Sequence, residues 1–485
     1  MTEQFPGAVL DLLDAADGRT VFEHDGREVS GRQLLGMTRR VATALRQRGL
    51  GPGHAVALLL GVGPEAFAAV VAAHAVGARV VGVRPGLTAR QREALLHEVE
   101  FTITDRPDGP GGPDHPPTGV VLALGELLSA ADDGLRPRVS ARPQDVARLI
   151  HTSGSTGLPK ACAQTYAAMT AAWALRPDDW PPAVRELAGR LDRFLIFGTL
   201  ASQVMLEYGL LTLAAGGVLV AADRPDLPDA LVRHRATASV ITVARLNRLL
   251  TSVRSSPVDL GALRALMVSG SPLEPGRARE AARVLGPVLF HGYGQTETGM
   301  ISMATPADPP GSLGVPPVDL EVRGPSGRPV PVGTEGEIYV RTPSQGSGYW
   351  GRPDLSGEVF VDGWVRTRDL GSLDVQGRLW LSGRTRDVVI IDANVYYTGP
   401  IERLLARHPA VAEAYVVAVP DEGTGEAVHA FVVPAAGRAP ALDDLRLLVT
   451  AHLGEACAPT RLTLIGEVPL TAAGKPDKRR LTPGT

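Results

Sequence analysis

Lysine is nearly missing from this chain. Of 49 basic residues only Lys160, Lys475 and Lys478 are lysines, leaving 49 − 3 = 46 arginines. Arginine serves almost everywhere a cation is needed, yet a guanidinium does not replace a compact ammonium that must reach a phosphate. The three lysines are therefore either residual surface cations or occupants of such positions. Net charge is scarce as well: 49 basic against 52 acidic residues gives −3, which implies no field for nucleic acid or a membrane surface. Two cysteines, Cys162 and Cys457, exclude a disulfide framework and a cysteine-rich zinc site. The eleven histidines show no H-E-x-x-H or other metal spacing, and no G-x-S-x-G elbow marks a serine hydrolase. The most apolar long stretch, Ala66 to Val83, is broken by His74 and Arg79, so no membrane span is expected. Glu3, Asp11, Asp14 and Asp17 without a basic start argue against a signal peptide, and a cytoplasmic protein is expected.

What is present is length and rhythm. A chain of 485 residues suggests two or more domains. Short apolar runs alternate with helical patterns: Ala55–Leu60, a helix from Pro64, Arg79–Val83, Phe194–Phe197, a helix near Met205–Ala214, and Val218–Ala221. Ser239–Thr242, Ala265–Ser269 and Val288–His291 continue the series. Such alternation predicts α/β layers with mostly parallel sheet. Asp105–Thr118, rich in Pro and Gly, reads as a surface loop. From about Gly311 shorter β pieces follow at Glu335–Arg341, Trp364–Thr367 and Arg378–Leu381. After Arg386 comes a compact α+β unit, with helices at Pro400–Arg407 and Leu442–Leu453 and strands at Ala414–Val419, Ala427–Val433 and Leu462–Val468.

The run Ile150-His151-Thr152-Ser153-Gly154-Ser155-Thr156-Gly157-Leu158-Pro159-Lys160 follows a short strand. Four hydroxyl side chains, two glycines and a terminal ammonium can wrap a polyphosphate with amide and hydroxyl donors plus one cation. It is not a Walker A loop, because Leu158 and Pro159 separate Gly157 from Lys160. The plainer reading is a Ser/Gly surface turn. The pattern T-S-G-S-T-G-x-P-K resembles the signature of the AMP-forming adenylate superfamily of acyl-CoA synthetases, peptide-synthetase adenylation domains and luciferase. In texture it is nearest to acyl-CoA synthetases and acyl-AMP ligases. Ala161 replaces the family's final glycine.

Further blocks occur in the family's order. Tyr293-Gly294-Gln295-Thr296-Glu297 matches Y-G-x-T-E. The resemblance implies Tyr293 beside the adenine, Thr296 on the α-phosphate and Glu297 on Mg²⁺, a hard cation suited to a carboxylate oxygen. Gly270-Ser271-Pro272 falls where the family has a turn beside the adenine and the acid pocket. Gly336-Glu337-Ile338 and Gly348-Tyr349 resemble a further block and read as structural. Thr367-Arg368-Asp369 matches T-G-D with Arg368 for glycine, and Asp369 can accept from both ribose hydroxyls. Gly383-Arg384-Thr385-Arg386-Asp387 matches the hinge segment, with Arg384 toward ribose or α-phosphate and Arg386 as pivot. Pro469-Leu470-Thr471-Ala472-Ala473-Gly474-Lys475 matches the terminal P-x-T-x-x-G-K, placing Lys475 on the substrate carboxylate and the α-phosphate. Together these imply an α/β fold. A large N-terminal domain of layered α/β subdomains plus a β-barrel-like part would span 1–383. A small mobile C-terminal α+β domain would span 387–485, with the hinge near Arg386.

The implied activity is that of an ATP-dependent acid ligase, which forms an acyl-adenylate, releases pyrophosphate and passes the acyl group to an acceptor. Phe197 is followed by Gly198 and Thr199 rather than by the aspartate that amino-acid-activating relatives carry. An aryl, cinnamoyl or fatty acid fits better than an α-amino acid, and a minority of relatives activate other oxyanions such as nitrite. Phe197, Gly198, Ser202, Gly270, His291 and Gly292 are the candidate pocket, the glycines leaving room for a ring or chain. Ala393 stands where thioester-forming relatives place a glycine that lines the pantetheine tunnel. The acceptor is thus CoA, the phosphopantetheine arm of an acyl-carrier protein, or something other than a thiol; a small backbone shift would equally admit the methyl. Two rivals remain. Gly61-Val62-Gly63-Pro64-Glu65-Ala66 has the G-x-G-x-x-A form of a dinucleotide-binding turn. A non-catalytic nucleotide-binding relative is the other, set against the retention of Lys475, Glu297 and Asp369.

Overall fold

The computed structural model describes residues 4–83, 89–105, 119–152, 160–222, 226–270, 273–385, 387–391, 394–421, 424–435, 438–471 and 475–481. The chain is α/β, and its strands form four sheets. The first orders eight strands as Gly299–Ala304, Leu289–Gln295, Ala265–Ser269, Ala238–Thr242, Arg193–Ile196, Val218–Ala221, Thr20–His24 and Arg27–Ser30. Its inner strands run parallel, and an antiparallel strand closes each edge. The second orders seven as Gly348–Tyr349, Lys160–Thr165, Val146–Thr152, Arg79–Gly82, Ala55–Leu59, Phe101–Thr104 and Val120–Ala123. Crossover helices between parallel strands place loops at the strands' carboxyl ends, where ligands bind in open α/β sheets.

Local chemistry explains the helices that matter most. Pro64–Ala75 starts with proline in its first turn, after Gly63, a position where the missing N–H had no intrahelical partner to lose. Its alanine-rich sequence is buried on nearly every side, as expected of a helix packed between layers. Gln203–Ala214 is capped by Ser202, whose Oγ accepts from Met205 N at 3.4 Å. One apolar cluster, including Phe22, Phe67, Ile103, Phe194 and Phe290, joins both large sheets.

Where a barrel-like part was expected, Asp319–Arg323, Gly336–Arg341, Trp364–Leu373, Phe360–Val361 and Leu379–Arg384 form an antiparallel five-stranded sheet. The last sheet joins Asn394–Tyr397, Val388–Ile391, Gly425–Pro434, Val411–Asp421 and Arg461–Leu464. It has its own apolar core around Val389, Ile401, Leu405, Val416, Val428 and Leu445. Polar contacts tie it to the rest: Asn247 Nδ2 donates to Glu413 Oε1 at 2.7 Å, and Arg403 Nη2 to Ser382 O at 2.6 Å. The last strand stops at Leu464 rather than Val468, because the chain bends at Gly466 once Ile465 N has bonded Val432 O. The proline-rich loop expected after Asp105 lies outside the described residues, as do Arg386 and Ala393. Among the described residues no helix is long and apolar enough to cross a membrane.

Candidate active site

At one end of the candidate site, Thr152 pairs with Lys160 in an antiparallel ladder, so the two ends of the hydroxyl-rich loop are held side by side. Ser153, Gly154, Ser155, Thr156 and Gly157 lie outside the described residues, as does the Thr152 side chain. Lys160 Nζ donates to Tyr349 Oη at 3.2 Å and lies 4.2 Å from the centre of its ring. Tyr349 Oη in turn donates to Glu297 Oε1 at 2.5 Å. Burial, and then the neighbouring Glu297, push the Tyr349 hydroxyl well above the usual phenol range, so it stays a donor. Cys162 Sγ donates to Thr296 O at 3.7 Å, and Gly346 N to Glu297 O at 2.8 Å. These bonds hold Thr296 and Glu297 close to Lys160 and Cys162. Sequence reasoning took Tyr349 as structural; its only signal was the Gly348-Tyr349 pair.

At the opposite end, Asp369 is 3% exposed and is surrounded by donors. Tyr293 Oη and Gln295 Nε2 both reach Oδ2 at 2.7 Å, and Arg384 Nε reaches Oδ1 at 2.8 Å. The Tyr293 ring packs with Ile301, Leu313 and Ile338, and burial raises its hydroxyl well above its ordinary pKa, aided by Asp369. Gln295, the variable position of Y-G-x-T-E, also donates to Thr367 O at 2.9 Å; its role was missed because the motif leaves that position open. Gly294 abuts Gly299 O of the adjacent strand, leaving no space for a Cβ. Arg368 takes the left-handed conformation that its glycine counterpart allows freely, at φ +61°. Its guanidinium donates to Glu358 at 2.5 Å, and the ladder still pairs Asp369 with Arg384.

Between these ends lie the carboxyl ends of Ala265–Ser269 and Leu289–Gln295, neighbours in parallel register with Val268 opposite His291. Gly270 follows at φ +96°, and a Cβ placed there would lie 3.8 Å from Lys475 Cε. The tail lysine therefore enters the same corner. Its turn is closed by Thr471 N on Lys475 O at 2.7 Å and Lys475 N on Thr471 Oγ1 at 3.2 Å. Nearby Lys478 Nζ binds Glu402 at 2.6 Å and Asp387 at 3.0 Å, tying the tail to the residue that follows Arg386. Ser271 and Pro272 lie outside the described residues.

The candidate acid pocket is mixed. Gly198 (φ +79°) faces open space, whereas at Gly292 a Cβ would stand only 3.1 Å from Met267 Sδ and 3.6 Å from Tyr208 Oη. Open space therefore lies at Gly198, Gly270 faces the Lys475 side chain, and at Gly292 Met267 and Tyr208 already fill the room. Ser202 is occupied as a helix cap. Phe197 is buried beneath the Arg245 guanidinium, 4.7 Å from its ring centre. His291 is half-buried on the neighbouring strand. The rival dinucleotide turn is already filled: Gly61 N donates to Asp105 Oδ2 at 2.6 Å, and His24 Nδ1 lies 3.2 Å from a Gly63 Cβ. A carboxylate in that place repels a pyrophosphate.

Residues 13–350 match the AMP-binding enzyme family and residues 400–475 the AMP-binding enzyme C-terminal domain. The chain is 31% identical to a fatty acid–[acyl-carrier-protein] ligase, ScoC, of Streptomyces coeruleorubidus, across 94% of this chain and 92% of that protein. It is 30% identical to a feruloyl-CoA synthase of an Amycolatopsis species, across 94% of both. The amide bond synthetase McbA from Marinactinospora thermotolerans superposes with a TM-score of 0.85 at 32% identity, covering 98% of each chain. With two family matches and a shared fold along nearly its whole length, the chain belongs to the AMP-binding enzyme family and is an AMP-forming ligase.

Proposed function

We propose that this ligase activates a carboxylic acid of aryl, cinnamoyl or fatty type as its acyl-adenylate. A carboxylate oxygen attacks the α-phosphorus of ATP and forms the new P–O bond. The bond to the bridging oxygen breaks, and pyrophosphate leaves with the electron pair. No base is needed, because the acid is already ionised. The protein's work is to bring two anions together and to screen their charge. Lys475 bridges the incoming oxygen and the α-phosphate, and Thr296 contacts the same phosphate. Thr152, Ser153, Gly154, Ser155, Thr156, Gly157 and Lys160 hold the departing pyrophosphate. Asp369 accepts from the ribose hydroxyls with Arg384 beside it. Tyr293, Gly294, Gly270, Ser271 and Pro272 frame the adenine.

Glu297 fits a magnesium ion that arrives with the nucleotide. It offers hard oxygen, and among the described residues no group of three or more His, Cys, Asp or Glu could hold a metal by itself. Mg²⁺ suits that arrangement, since it keeps several waters and binds through one or two carboxylates plus phosphates. When bound, it neutralises phosphate charge. The observation that carries the reading is the approach of Lys475 to Gly270. It brings one of three lysines to the ends of the strands that bear the other motifs. Arg245 over Phe197 makes the pocket's rim cationic, which disfavours an α-ammonium.

The acyl group then passes to CoA or to a carrier-protein thiol as residues 387–485 rotate about Arg386, as the names of the acid–thiol relatives suggest. An amine acceptor is the second reading, favoured by Ala393 in place of glycine and by the likeness to an amide bond synthetase. Mass spectrometry of the protein with ATP and an acid library is the test. An acyl-AMP of matching mass is expected, followed by a thioester or an amide in the presence of CoA, carrier protein or amines. Absence of any adenylate across the library, with thermal protection by NAD(P)H but not ATP, would contradict the reading.

A further inference from the structure

Tyr208, on the helix Gln203–Ala214, is 5% exposed, and its Oη is not among the side-chain atoms that are both sealed from solvent and unpaired, so the oxygen keeps access to open space. A ligand that covers this hydroxyl without pairing it would impose the cost of its lost hydration. Burial pushes this hydroxyl well above the ordinary phenol range, so it is a neutral donor at any working pH. Its direction is set by the helix cap at Ser202, by Trp173 edge-on at 5.6 Å and by Gly292. Oη lies 3.6 Å from where a Gly292 Cβ would be, with Ser269 Cβ at 3.9 Å from that point. The hydroxyl therefore points at the ends of the two parallel strands whose next turn, at Gly270, receives Lys475. Met267 Sδ lies on the same spot at 3.1 Å. A thioether on a flexible stem cannot satisfy the hydroxyl well but can move to admit a ligand atom.

Given the adenylation reading above, on which this step rests, we propose that Tyr208 is a specificity-determining residue that hydrogen-bonds an oxygen substituent on the acid's distal part, a hydroxyl or carbonyl. Lys475 and Tyr208 then mark the two ends of the acid: carboxylate at the ammonium, second oxygen at the phenol. A plain alkyl chain would leave the phenol unpaired. An oxygenated acid removes that penalty and is preferred for that reason.

The test compares matched acids, such as cinnamic with 4-hydroxycinnamic acid and octanoic with hydroxyoctanoic acids, by acid-dependent ATP–pyrophosphate exchange. The wild type should favour the oxygenated member in kcat/KM. Tyr208→Phe should reduce that ratio by about tenfold or more. The substitution breaks no hydrogen bond found among the described residues, so the Tm of the ligand-free variant should stay close to that of the wild type. A structural hydroxyl would lower it. An unchanged ratio, a wild-type preference for the plain acids, or a lower Tm in Tyr208→Phe each overturns the proposal. Exchange with no acid at all in the wild type would instead refute the adenylation reading.

Discussion

Replacing Tyr349 by phenylalanine removes a single oxygen from between Lys160 and Glu297. That oxygen receives Lys160 at 3.2 Å and donates to Glu297 at 2.5 Å. The ring would remain, keeping the Lys160 contact at 4.2 Å and the edge contact with Phe360 at 5.7 Å. Both bonds are to charged groups, so folding should lose about 1.5–3 kcal/mol, and Glu297 loses the donor that orients it. Partners that orient a metal-binding carboxylate typically change metal affinity by about 10–100-fold. The assay is acid-dependent ATP–pyrophosphate exchange, titrated with Mg²⁺ at fixed saturating ATP and acid. The half-saturating Mg²⁺ concentration should rise by about tenfold or more, with Tm lowered by only a few degrees. Superimposable Mg²⁺ titrations for wild type and variant would refute the link from Tyr349 through Glu297 to the metal.

Two more outcomes follow from buried polar groups. His74 is 1% exposed, with its pKa lowered from 6.5 to about 4, chiefly by burial. Its folded value lies below its unfolded one, so stability is full above about pH 6.5 and falls as the unfolded chain alone takes up the proton. The loss on approaching pH 4 is 6.5 − 4 = 2.5 pH units, about 3 kcal/mol. Urea midpoints should show this slope in the wild type and a flatter one in His74→Leu; parallel slopes would exclude His74 as the cause. Asp369→Ala strands Tyr293 Oη and leaves Gln295 Nε2 only its bond to Thr367 O, both having donated to Asp369 at 2.7 Å, at a cost of about 1–3 kcal/mol. It should also abolish the rise in Tm on adding ATP, and a full ATP-induced shift in this variant would remove Asp369 from the nucleotide site.

The local motifs were legible because their chemistry is local. The run of hydroxyls, glycines and Lys160 after a strand is a local pattern that suggests a phosphate loop without any long-range information, and the alternation from Ala55 to His291 announced parallel α/β sheets. Relations across the chain were not legible. Tyr349 joins Lys160 and Glu297 from positions 189 and 52 residues away, which no spacing in the sequence encodes. Ser202 looked like a pocket residue, since a helix cap and a pocket hydroxyl are written with the same letter. Gly292 suggested open room, yet Met267 and Tyr208 arrive there from another strand and from a helix. Arg368 was visible as a departure from glycine; that it keeps a positive φ and pairs with Glu358, ten residues before it, was not.

The central claim is that the tail ammonium completes a site built by the large sheets. Lys475→Ala tests it most directly, with Lys475→Arg as companion. Arginine is accepted at 46 of the chain's 49 basic positions (49 − 3 lysines), so its failure here would show that the compact ammonium itself is required. The account predicts that both variants keep the thermal shift on ATP binding while acid-dependent pyrophosphate exchange falls by about 10²-fold or more. Exchange at the wild-type rate in Lys475→Ala would contradict it.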